Sequence, residues 1–158
     1  MPRADVDLLV LIAIGFALSY VIGFERELRG SPAGDRTFAL VGATSTAVAA
    51  VAAPTSPQAV AGIVTGIGFI GAGVVFHGEG GLIRGLTSAA TIFSSAGLGI
   101  VVGYGHVIAG ALMTALLLFT LELQHMPFLR WIDARHYSGH VRNDRPPLDD
   151  GNPPGAAR

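Results

Sequence analysis

The sequence predicts an all-α protein, a polytopic bundle of about five transmembrane helices with its N-terminus outside and its C-terminus in the cytoplasm. Three observations predict it. Hydrophobic residues make up 51% of the 158 and charged residues only 13%, where a soluble domain carries about 25% charged. The apolar residues gather into five runs, 8–24, 38–53, 58–76, 86–103 and 107–123. Each run has roughly the length that spans a hydrocarbon core at 1.5 Å per residue, at the short end of the range. Nearly all the arginines lie in alternate breaks between the runs or in the tail.

The first run reads as an uncleaved span. Its N-terminal flank has Arg3 but also Asp5 and Asp7, the other nearby positive residues follow it, and no small-residue cleavage pattern comes after it. A turn at 25–29 is placed to extend it into the interface. The second run ends at a hairpin punctuated by Pro54 and Pro57. The third contains Gly66-Ile67-Gly68-Phe69-Ile70-Gly71-Ala72-Gly73, which matches the dinucleotide fingerprint G-x-G-x-x-G. That motif has meaning only between a strand and a soluble helix, with an acid about 20 residues on. Here the run is uncharged and Arg84 follows. The glycines instead predict close helix packing. Gly62, Gly66 and Gly73 lie along one face, and Ala61, Thr65, Gly68 and Ala72 along another; Gly71 completes the glycine set. Either both faces pack inside one bundle or one meets a second subunit. A symmetric homodimer is the expectation, since two-fold pairs are the commonest oligomers.

The fourth run carries Thr87, Thr91, Ser94 and Ser95 at helical spacing. They read as a polar path for an ion, or as hydroxyls bonded to preceding carbonyls or to a neighbouring helix. No run holds a carboxylate mid-membrane, which counts against a coupled transporter. The fifth run is leucine-rich and reads as lipid-facing, entered through Gly103 and Gly105. An interfacial stretch at 126–132 follows, then a tail rich in proline and glycine that is expected to be disordered. The predicted organisation is an external segment 1–7, a transmembrane domain 8–123 and a cytoplasmic tail 124–158.

Orientation follows from arginine. Arg26, Arg29 and Arg36 lie in the first break, Arg84 in the third, and Arg130, Arg135, Arg142, Arg145 and Arg158 in the tail. The other two breaks hold none. The positive-inside rule puts the arginine side in the cytoplasm. A net charge of −1 gives no reason to expect nucleic acid.

The charged chemistry sits in that side's loops. Glu25, Arg26 and Glu27 precede Asp35, Arg36 and Thr37, and Arg84 joins them from the third break. The group reads as an ion-paired cap, with Glu25, Arg26, Arg36 and Arg84 in one cluster. Glu25, Glu27 and Asp35 could hold Mg²⁺ weakly through oxygen ligands. The bland alternative is interfacial salt bridges plus topology signals. Glu122 and His125 form a lone E-x-x-H pair, too little for a di-iron bundle. With no cysteine there is no thiolate metal site, no Ser-His-Asp or Cys-His arrangement can be argued from the spacing, and neither enzymatic activity nor a resident cofactor is expected.

Four stretches in order carry a family resemblance: Gly23-Phe24-Glu25-Arg26-Glu27, Ala33-Gly34-Asp35-Arg36-Thr37, Gly66 to Gly73 as quoted, and Arg84-Gly85-Leu86-Thr87-Ser88-Ala89-Ala90-Thr91. Together, over about 8–123, they resemble the MgtC/SapB family of bacterial inner-membrane proteins, in the short, membrane-domain-only form. Two positions depart from the family pattern: Asp35 stands where an apolar residue is usual, and Phe93 where tryptophan is common. The resemblance implies a multi-pass protein of the inner membrane, linked to growth in low magnesium and, in pathogens, to virulence. It implies action by binding other membrane proteins rather than by pumping magnesium. The residues it carries over are Glu25, Arg26, Arg36, Thr37, Gly68, Gly71, Gly73, Arg84, Gly85 and Thr87. The alternative is a small channel or transporter for an ion or solute, using the third and fourth helices.

Overall fold

A computed structural model describes residues 3–52, 55–77 and 83–123. Five helices stand where the five runs predict them: α1 Arg3–Leu28, α2 Asp35–Ala52, α3 Pro57–Val74, α4 Leu86–Gly103 and α5 Val107–Glu122. Between α3 and α4 lies a minimal antiparallel ladder, β1 Phe76–His77 with β2 Ile83–Arg84, pairing Phe76 with Arg84 and His77 with Ile83. The chain falls into two compact units, Met1–Phe119 and Thr120–Arg158. The interfacial stretch at 126–132 and the tail lie outside the described residues.

Local chemistry sets the helix ends. α1 runs past its apolar stretch at both ends. It closes where Gly30, at φ +67°, lets the Gly30 and Ser31 amides return to the Glu27 and Arg26 carbonyls. Gly105, at φ +86°, ends α4 in the same way, its amide on Val102 and that of His106 on Val101. Proline at the first position of α3 starts that helix without losing a needed donor.

Among the described residues, three helices are long and apolar enough to cross a bilayer: Ala4–Leu28, Pro57–Val74 and Leu86–Gly103. α5 is apolar but has 16 residues, about 24 Å of helix. α2 is less apolar because it opens on Asp35 and Arg36 and carries Thr44, Ser45 and Thr46 in its body. Its position explains this. α2 lies along both α1 and α4, and Phe38, Ala39, Val41, Gly42, Ser45, Thr46 and Ala49 are buried. A helix surrounded by helices does not need a lipid-compatible surface all round.

The core is closed by small residues on α1, α2 and α4. A methyl group at Gly15 would strike the Thr46 hydroxyl, and one at Gly23 would stand 2.7 Å from the Asp35 Cα. One at Gly99 would stand 2.6 Å from the Gly42 carbonyl oxygen, and one at Gly103 2.6 Å from that of Thr46. These pairs fix directions: α1 is antiparallel to α2, and α4 is parallel to α2. α3 folds back along α4 through Gly71 and Ala89, and α5 along α4 through Gly110 and Val102.

α3 is the outlier. Only Ile67 and Gly71 on it are buried. At Gly62, Gly66, Gly68 and Gly73 a Cβ would meet no atom of the described residues within 4 Å. The reading in which both small faces of this helix pack inside one bundle therefore does not hold. The tight backbone contacts fall on glycines of α1, α2 and α4, and on α3 only Gly71 touches a neighbouring helix, at ordinary distance.

Candidate functional site

Antiparallel and parallel packing bring the C-terminus of α1, the N-terminus of α2, the C-terminus of α3 and the N-terminus of α4 to one end of the bundle. That end carries Arg26, Arg29, Arg36 and the backbone of Arg84. A hydrogen bond between the Ser31 and Ser88 hydroxyls, 2.8 Å long, ties the α1–α2 loop to α4. Gly85 lies between β2 and α4, where a Cβ would meet the Val74 carbonyl oxygen. The Arg84-Gly85 step is thus held against the end of α3.

Two separate charged units form here. In the first, Arg26 donates to both oxygens of Glu25, its Nη2 to Oε1 at 2.6 Å. Their side chains are only 10% and 12% exposed. Arg29, more exposed, approaches the same Glu25 Oε1 at 3.4 Å. An ion pair this far out of water costs desolvation, and breaking it by removing one partner typically costs about 3–5 kcal/mol. The Arg29 contact, in solvent, is worth about 0–1 kcal/mol.

In the second unit, Glu27 reaches across to α2, where its Oε2 accepts from the Asp35 amide at 3.1 Å. A carboxylate from the last turn of α1 thereby satisfies an orphan amide at the start of α2 and meets the positive end of that helix dipole. Gly34 gives it room, since a Cβ there would collide with the Glu27 carboxylate. Asp35 accepts from the Arg36 amide at 2.6 Å, and the Tyr20 hydroxyl lies beside its carboxylate. The departure at Asp35 is therefore accommodated by α1 and by the helix N-terminus, not by the Arg36 side chain.

Of the expected four-member cluster, the described contacts join only two members. Glu25 and Arg26 are together. Arg36 is exposed, and no described carboxylate lies within ion-pairing distance of its guanidinium. Thr37 is half-buried in the first turn of α2. Arg84 is brought to the same end by its backbone alone, its side chain lying outside the described residues. Nor do Glu25, Glu27 and Asp35 converge. Glu25 faces Arg26 and Arg29, Glu27 faces the α2 amide, and among the described residues no three acidic, histidine or cysteine side chains gather as a metal would need.

On α4 the hydroxyls turn inward on their own helix. Thr91 donates to the Thr87 carbonyl at 2.7 Å and Ser94 to that of Ala90 at 3.0 Å. Ser95 is fully buried, and its hydroxyl, like that of Ser19 on α1, has no partner among the described residues. Thr87 is exposed at the arginine-bearing end. Tyr20, Ser31 and Ser88 are part of this end and were not singled out from sequence. Each acts across 15 residues or more, a pairing that no local pattern encodes.

Known proteins match this chain. The MgtC family model matches residues 12–127. A protein named MgtC from Brucella abortus is 43% identical over 112 residues, which cover 68% of this chain and 47% of that protein. A protein named SapB from Bacillus subtilis is 33% identical over 141 residues, 81% of this chain and 59% of that protein. A protein of Haemophilus influenzae with no function in its name is 37% identical over 136 residues, 77% and 57% respectively. The chain spans about half the length of these relatives. No solved structure matches.

Proposed function

The chain belongs to the MgtC family of membrane proteins, and from that premise we propose that it is a regulator in the bacterial inner membrane. It supports growth in low magnesium by binding other membrane proteins through its arginine-bearing end, which faces the cytoplasm. It catalyses no reaction. A role in virulence would follow from the same growth phenotype inside a host. One observation supports this reading above the others: the middle of the bundle is filled. Gly15, Gly42, Gly99 and Gly103 bring α1, α2 and α4 together more closely than any side chain allows. That leaves the charged end as the place for chemistry. At that end Glu25 pairs with Arg26 within the last turns of α1, Glu27 joins α1 to the first amide of α2, and Arg36 is exposed beside them.

A channel is the second reading. Its support is the pair of buried, unpartnered hydroxyls, Ser19 and Ser95, which would suit water in a narrow path. Purified protein in liposomes separates the two. The regulatory reading expects no Mg²⁺ or monovalent cation flux above empty liposomes, while the same preparation restores growth in low magnesium when expressed. Flux without any partner would overturn it.

A further inference from the structure

Between α2 and α3 runs an open groove of about 380 Å³, walled by Thr44 and Ser45 on one side and by Gly62, Ile63, Gly66 and Ile67 on the other. Ser45 is only 3% exposed. No described residue offers a partner to its hydroxyl or to that of Thr44. They share this with Ser19 and Ser95, but differ in lining an open groove. Thr46, Thr65, Thr91, Ser94 and Thr114 all donate to the carbonyl four residues back. A groove at this depth filled by lipid tails would leave both hydroxyls unsatisfied, because hydrocarbon neither donates nor accepts.

We propose that this groove is filled by α3 of a second copy of this chain, in a two-fold dimer whose axis lies along the membrane normal. Both copies insert the same way, so only an axis in that direction relates them, and it keeps every residue at its own depth. The depths agree. Thr44 lies eight residues before Ala52, the last residue of α2, and Thr65 lies eight residues after Pro57, the first of α3. At 1.5 Å per residue both sit about 12 Å below the connecting loop. The faces agree as well. Gly62, Gly66 and Gly73 form one line along α3, with Thr65 on one flank and the groove wall of Ile63, Ile67 and Ile70 on the other. A two-fold rotation that brings these lines together exchanges the flanks. Thr65 of the partner subunit then faces the groove.

The hydrogen-bonding chemistry is complementary. Thr65 spends its proton on the Ala61 carbonyl, at 3.0 Å, and keeps an oxygen that can accept. Thr44 and Ser45 have protons to give. The bare glycines allow the two backbones to approach as in other small-xxx-small pairs. Phe69, 83% exposed and on the same face, supplies a knob for the opposite notch between Gly66 and Gly73. The same residues are used twice, as an isologous contact requires.

The chain has no cysteine, so single cysteines report on proximity directly. Gly66→Cys and Leu112→Cys, the latter on the exposed face of α5, are oxidised in native membranes with copper phenanthroline. The dimer predicts a disulfide-linked pair for Gly66→Cys and at least about tenfold less for Leu112→Cys. Subunit counting of the wild-type protein in lipid nanodiscs should give two copies. Thr65→Val and Ser45→Ala should each weaken dimerisation, and together by about tenfold, the scale of one or two interhelical hydrogen bonds. Gly66→Leu should give single copies whose α1–α2–α4 core keeps its thermal transition. If Gly66→Leu does not fold, the Thr65 and Ser45 variants and the cross-link carry the test. Single copies of the wild type at all densities, equal cross-linking at residues 66 and 112, or a dimer indifferent to Thr65→Val with Ser45→Ala would overturn it. A lipid or another protein as the occupant would appear as one of those outcomes.

Discussion

Arg26 is the residue on which the charged end depends. Its side chain is mostly out of water and both oxygens of Glu25 face it. Glu25→Gln leaves a buried cation with a neutral partner and should destabilise the protein by about 3 kcal/mol. Removing both charges with Glu25→Leu and Arg26→Met should recover much of that stability, because the desolvation cost then disappears with the pair. Chemical denaturation in detergent micelles would measure both. A double variant no more stable than Glu25→Gln would mean that the pair contributes little as a pair. Glu27 acts differently. It joins two helices through one amide, so Glu27→Gln, which still accepts a hydrogen bond but loses the charge opposite the α2 dipole, should cost only about 1 kcal/mol.

At the scale of elements, glycines divide into two kinds. Gly99 and Gly103 on α4 face the backbone of α2, whereas Gly68 on α3 meets no neighbour among the described residues and lies off the Gly62–Gly66–Gly73 line. Gly99→Ala and Gly103→Ala should each destabilise by about 1–3 kcal/mol through overpacking. Gly68→Ala should be neutral or stabilise by up to about 1 kcal/mol, since alanine is the better helix former. Thermal unfolding followed by circular dichroism distinguishes them, and equal losses at all three positions would contradict the packing described. This division shows how far the sequence could be read. All five helices were legible because apolar length is a local property, and so were the breaks around Pro57 and Gly105. The motif glycines on α3 drew attention because they cluster, yet the glycines that close the core are spread singly over α1, α2 and α4. Their partners lie more than ten residues away, and spacing along one helix does not say which neighbour it meets. α2 was legible as a helix but not as the central one, since its serines and threonines look like weakness until the helices around them are placed. At the charged end, Glu25 with Arg26 could be foreseen from adjacency. Glu27 on the Asp35 amide, and Ser31 on Ser88, could not, because both depend on how loops fold back.

For the whole molecule, the directions of the helices put every described arginine from Arg26 to Arg36, and the Arg84 backbone, at one end. The opposite end carries the α2–α3 and α4–α5 connections. If the arginine end is cytoplasmic, Pro32→Cys should resist a membrane-impermeant maleimide in intact cells while Thr55→Cys reacts; both positions are exposed. The reverse pattern would turn the bundle over and move the proposed binding surface to the other side. The central claim is that this end works as a surface for other proteins, and Arg36 tests it most directly. It is exposed and makes no described ion pair, so replacing it should leave stability within about 0.5 kcal/mol. The decisive measurement is growth at limiting magnesium with Arg36→Gln in place of the wild-type chain, at matched membrane abundance. Growth support should be clearly lost while the protein stays intact. Growth equal to wild type would contradict it.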